Sequence, residues 1–149
     1  MCIRDRVAFV SNGAWLDSSA GAGFRKCLAN EFSCIYVFNL RGNQRTSGEL
    51  SRKEGGKIFG SGSRTPITIT LLVKKPNSTN KKADIQYRDI GDYLSREDKL
   101  SIISKYKSIA HNLMQWDVVN PNSNGDWINK RNSLFEDFIA IGSEKSSSV

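Results

Sequence analysis

Strand, helix and strand follow one another between Val7 and Leu40, and this succession constrains the fold more than any other feature of the chain. VAFVSN (Val7–Asn12) is a nearly continuous apolar run that closes on turn residues, the pattern of a buried strand in a parallel sheet. In the segment that follows, Asp17 or Ser18 can cap a helix whose apolar positions Ala22, Leu28, Ala29 and Phe32 fall on one face. Gly21 and Gly23 weaken its first turn but permit close approach to a sheet. CIYVFNL (Cys34–Leu40) is a second run, rich in β-branched and aromatic residues. Such a unit crosses over right-handed and makes its two strands parallel, so the expected class is α/β.

The next apolar run, PITITLLVKK, alternates Ile67, Ile69 and Leu71 with Thr68, Thr70 and Leu72. One apolar and one half-polar face suit an antiparallel strand (Pro66–Lys74) at or near a sheet edge, ended by Lys74 and Lys75. PNSTNKKAD is a turn-rich connection, and DIQYRDIG (Asp84–Gly91) predicts a further strand. SREDKLSIISKYKSIA carries a capping pattern, with Ser95 as N-cap, Glu97 and Asp98 in the first turn, and Lys105 and Lys107 near the end. Leu100, Ile103, Tyr106 and Ile109 are its expected apolar stripe. A linker-like segment (Asn120–Asp126) and a short helix near Asn132–Phe138 complete the reading, and a length of 149 residues fits one domain.

Between the second and third runs lies RGNQRTSGELSRKEGGKIFGSGSRTP. Residues 41–76 hold eight Lys/Arg against two acids, a balance of +6 in a chain whose formal charge is +7. A glycine-rich cationic loop tethered by two strands suits a polyanion, nucleic acid first among them, with Arg41, Arg45, Arg52, Lys53, Lys57 and Arg64 as the DNA-contacting candidates. Arginine forks match phosphate oxygens and base edges. Phe59, beside Ile58 and ahead of a Gly/Ser stretch, can stack on an unpaired base, worth about 1–3 kcal/mol. The alternatives are a solvated loop whose charges serve solubility, and a Phe59 that anchors the loop under the sheet.

Other chemistry finds little support. GSGSR (Gly60–Arg64) lacks the Gly-Lys-Ser/Thr ending of a phosphate-binding loop and precedes a strand rather than a helix. His111 is the sole histidine and reads as a helix-end or surface residue. Asp84, Asp89 and Asp92 fall at strand ends and turns, where aspartate is expected without a metal. Cys2, Cys27 and Cys34 form neither a paired framework nor a zinc pattern. No catalytic, cofactor-binding or metal-ligating residue is therefore expected. No apolar stretch approaches the roughly 20 residues of a membrane span, and the charged start MCIRDR is not a secretory signal, so the expected location is the cytoplasm. Residues 1–6 read as an artefactual leader. With the low-complexity end SEKSSSV, they lead to the expectation of a fragment whose partners include the rest of the same polypeptide.

Taken as long phrases, VAFVSNGAWLDSSAGAGFRKCLANEFSCIYVFNLRGNQRTSGELSRKEGGKIFGSGSRTPITITLLVKK, DIGDYLSREDKLSII and NGDWINKR resemble the stretch after the catalytic motif of N6-adenine DNA methyltransferases. The likeness is strongest to the single-chain Type ISP restriction-modification enzymes and runs from about Val7 to Gly142. It implies a Rossmann-like domain that binds S-adenosylmethionine through a glycine-rich first loop and methylates adenine N6 through an Asn/Asp-Pro-Pro-Tyr/Phe motif. Neither motif is present: Asn120-Pro121 is followed by Asn122. Residues 7–76 would be the C-terminal half of the methyltransferase sheet, with Pro66–Lys74 as its one antiparallel strand. Residues 77–142 would be a small α+β extension leading into the target-recognition region, and 143–149 a disordered tail. In the family an aromatic just before the antiparallel strand packs on the flipped adenine, and Phe59, seven residues ahead of Pro66, matches that position. The implied function is the DNA-contacting part of a site-specific adenine-N6 methyltransferase, inactive alone. The alternative is a non-enzymatic nucleic-acid-binding α/β domain.

Overall fold

The computed structural model describes residues 5–60, 63–75 and 82–128. Five strands form one mixed sheet: β1 (Asp5–Asn12), β2 (Cys34–Asn39), β3 (Ile67–Lys74), β4 (Asp84–Asp89) and β5 (Asp117–Val119), in the order β1-β3-β2-β4-β5. β3 is antiparallel to both β1 and β2, β4 is parallel to β2, and β5 is antiparallel to β4. Strands β1, β2 and β4 thus share one direction, and their carboxyl ends lie along one edge of the sheet. Among the described residues three α-helices accompany them: α1 (Ala22–Glu31), α2 (Gly48–Glu54) and α3 (Arg96–Tyr106). None of the described helices is long and apolar enough to cross a membrane.

Period-two alternation in β2 divides the core between two faces. Ile35 and Val37 point to the side of α1, where they join Leu16, Leu28, Ala29, Leu72, Ile85 and Trp127. Phe38 and Leu40 belong to the opposite cluster with Ile58, Ile67, Ile90 and Met114, against which Ile102, Ile103 and Tyr106 of α3 pack. Ser95 caps α3 as expected: its hydroxyl accepts from the Asp98 N–H while the Asp98 carboxylate accepts from the Ser95 N–H. The Ser95 hydrogen bonds hold the Asp98 carboxyl below its ordinary pKa.

Several expectations need correction. β1 runs in the direction of β2, yet β3 lies between them, so VAFVSN is an antiparallel edge strand with Val7 and Val10 about half exposed. β3 accordingly has a neighbour on each side, and its polar face is covered: Thr68 and Thr70 are fully buried. Ser18 caps a short 3-10 turn (Ser19–Gly21), and α1 begins only at Ala22. α3 stops at Tyr106 on a left-handed Lys107, which leaves Ile109 beyond its end and partly exposed. The segment read as a linker includes Asp126 and is followed by Trp127, both buried, and the short β5 precedes it. Arg25 explains this. Its fully buried guanidinium donates from Nε to the Gly125 carbonyl at 2.8 Å and from Nη2 to Asp126 at 3.2 Å, drawing the segment onto α1. The helix expected near Asn132–Phe138, the tail and residues 1–4 lie outside the described residues.

Candidate nucleic-acid interface

Ligands of open α/β sheets collect at the carboxyl ends of co-directional strands. Here that edge presents Asn12, Asn39 and Asp89, and the chain leaving β2 turns at Arg41, whose φ is +56°. The turn is held by charge. Arg41 Nε donates to Asp89 at 2.7 Å and Nη1 to Asp92, while the Arg41 N–H donates to the Asn39 side chain at 3.0 Å. Asn39 in turn donates to the Tyr87 hydroxyl, which donates to Asp89. Burial opposes the Arg41 charge, but the Asp89 hydrogen bond and the fields of Asp89, Asp92 and Glu54 outweigh it and raise the guanidinium pKa. Burial likewise pushes the Tyr87 phenol well above its ordinary range.

The basic segment after Arg41 is folded rather than open. It contains α2, and α3 clamps its return. The buried Lys99 ammonium donates to the Glu54 and Gly56 carbonyls at 2.7 and 2.9 Å, and Arg96 Nε donates to the Ile58 carbonyl at 2.9 Å. The Gly56 N–H donates to the Leu94 carbonyl at 2.8 Å. Glycine is required at this crossing: a Cβ at Gly55 would come within 2.2 Å of the Leu94 oxygen, and one at Gly56 within 2.4 Å of the Arg96 nitrogen. Burial pushes the Lys99 pKa down, with the charge of Glu54 opposing.

This clamp separates Ile58 from Phe59. Ile58 is the anchor, buried under the sheet at 8% exposure, and Phe59 next to it is 51% exposed. Arg45, Arg52, Lys53 and Arg64 are exposed, Lys57 is half-buried, and Arg52 has a loose neighbour in Glu49 at 3.6 Å. Arg41 departs from the expectation, because its guanidinium is committed to Asp89 and Asp92 and shapes the turn instead of facing outward. Glu54 is likewise turned inward, accepting from the Asn43 N–H at 2.8 Å. The outward face of the segment therefore carries more of its cations than of its acids.

Lys99, Arg96 and the Gly55-Gly56 pair escaped the sequence reading. Lys99, Ile103 and Tyr106 stand at helical spacing on one face of α3, whereas Leu100, the expected member of that stripe, is 39% exposed. A lysine in phase with the apolar stripe was the available signal. No group of three metal-ligating side chains occurs among the described residues, Asp89 and Asp92 being turned to Arg41. His111 accepts from the Leu113 N–H and lies beside Tyr106, as an ordinary residue after a helix would.

No protein-family model and no curated protein matches the chain. Solved structures do. A nuclease-deletion mutant of the Type ISP restriction-modification enzyme LlaGI, in complex with a DNA substrate mimic, matches 89% of this chain with 50% identity and a TM-score of 0.79. The ATP-dependent Type ISP enzyme LlaBIII bound to DNA matches 97% of it with 37% identity and a TM-score of 0.86. A DrdV–DNA complex matches 88% with 27% identity and a TM-score of 0.77. The chain spans 10%, 10% and 12% of these proteins, so it resembles one segment of each, and the first two are Type ISP restriction-modification enzymes.

Proposed function

We propose that the chain is the DNA-facing part of the methyltransferase unit of a Type ISP restriction-modification enzyme, acting in the cytoplasm on adenine N6 together with the rest of a longer polypeptide. The observation that carries this reading is the pinned basic segment at the carboxyl edge of the sheet, with Phe59 exposed beside a buried Ile58. A strand antiparallel to two co-directional neighbours, β3 between β1 and β2, supports the Rossmann-like methyltransferase assignment. The likeness to DNA-bound enzymes supports the choice of polyanion.

S-adenosylmethionine would supply the methyl group, but these residues do not fit it. The cavity at the carboxyl ends of β1 and β2, lined by Gly13, Asn39 and Glu54 among others, measures about 90 Å³. Small-molecule sites run to roughly 300–1,000 Å³. The chain's own contribution is to the nucleic acid. Arg45, Arg52, Lys53, Lys57 and Arg64 meet phosphates, and Phe59 replaces the stacking that an extruded adenine loses. In the intact protein, Phe59→Ala lowers methyl transfer tenfold or more while duplex affinity falls by less than threefold. Unchanged turnover on an adenine-containing site would remove the stacking role. A loss confined to affinity would favour a binding domain without chemistry.

A further inference from the structure

The pinned segment encloses an open cleft of about 650 Å³ between α2 and the bend at Gly55–Lys57. Arg52 and Lys57 form its charged walls, Ser47 and Ser51 add hydroxyls, and no carboxylate is among its lining residues. Neither serine hydroxyl nor the Lys57 ammonium has a hydrogen-bond partner among the described residues, and Ser47 leaves the helix start beside it uncapped by its side chain. The floor is immobilised from both sides. Gln44 Nε2 donates to the Gly55 carbonyl at 2.8 Å, and the Gly56 carbonyl is gripped by Lys99. Holding the Gly55 and Gly56 backbone fixes Lys57 relative to the end of α2, which lowers the ordering cost of seating an anion between them.

We infer that this cleft seats a phosphodiester group of the nucleic-acid backbone, with Arg52 and Lys57 neutralising its charge and Ser47 and Ser51 donating to its free oxygens. The inference rests on the DNA-facing reading above and adds to it one defined subsite. Phosphodiester oxygens accept hydrogen bonds and carry the charge, which two cations and two hydroxyls can satisfy, with Arg52 exchanging its loose, exposed contact to Glu49 at 3.6 Å for the phosphate.

Two single-charge insertions on α2 test it. Ser51 lines the cleft, and its neighbour Leu50 is 65% exposed and outside it. The probe is a short fluorescent DNA duplex titrated with the intact protein at several salt concentrations. Ser51→Asp is expected to weaken binding tenfold or more, and Leu50→Asp clearly less, because Leu50 is outside the cleft and successive side chains on a helix diverge by about 100°. Lys57→Ala should make the slope of log affinity against log salt shallower by about 0.9. Equal losses for Ser51→Asp and Leu50→Asp would overturn the cleft as a seat while leaving the segment as a general cationic surface. No loss from any of the three, in a protein that still binds the duplex, would overturn both the cleft and the DNA-facing role of the segment.

Discussion

Two segments of this chain look alike on paper and behave differently in the fold. Residues 41–66 and 117–128 are both polar, rich in turn residues and pinned to a helix by a fully buried cation, Lys99 of α3 for the first and Arg25 of α1 for the second. Arg25 meets a carboxylate, Asp126, as well as the carbonyls of Trp15, Ser18 and Gly125. Lys99 meets carbonyls alone, those of Glu54 and Gly56. The segment held by the neutralised pair goes into the core, with Trp127 at 4% exposure. The one held by the lone ammonium keeps its backbone fixed and its basic side chains outward. A buried cation thus serves either to close a core or to brace a surface, and its partners distinguish the two roles.

The largest effect should come from breaking the closed pair. Asp126→Ala leaves the Arg25 guanidinium buried without its counter-charge, and removal of one partner of a buried pair costs about 3–5 kcal/mol. Denaturant titration of the intact protein reads this as a lowered midpoint. A loss under about 1 kcal/mol would mean that the three carbonyls suffice and that the two cations are equivalent.

A smaller change follows from Lys99→Met, which keeps most of the stem, orphans the Gly56 carbonyl and leaves the Glu54 carbonyl only the Gly42 N–H, for about 1–3 kcal/mol. It also carries a pH signature. The folded-state pKa of Lys99 lies below its ordinary value, so between the two the unfolded chain binds more protons than the folded one. Stability therefore gains from this residue as pH rises through the window just under about 10.4, and burial of the charge costs most below it. The wild type minus Lys99→Met difference should show that rise. A flat difference would contradict the ammonium's desolvation.

The order of β1, α1, β2, β3, β4 and α3 was legible because it rests on local pattern, and the Ser95 capping box forms as the sequence indicates, whereas α2 and β5 were not read. Position within the sheet was not. Val7–Asn12 reads as buried because it is apolar, yet burial depends on which strands flank it, and β3 returns from over 50 residues away to take the inner place. The candidate site was half legible. Charge and the lone aromatic are visible in composition, and Phe59 and most of the cations do face outward. The partners of Arg41 and Lys99 are not visible, since Asp89 and Asp92 come from the end of β4, and the Glu54 and Gly56 carbonyls meet a helix some 40 residues on.

The central claim is that the braced segment is a phosphate-contacting surface. The salt dependence of duplex binding tests it most directly, comparing the intact protein with Arg52, Lys53, Lys57 and Arg64 all replaced by alanine. Four lost phosphate contacts should make the slope of log affinity against log salt shallower by about 3–4. An identical slope in the two proteins would contradict the account.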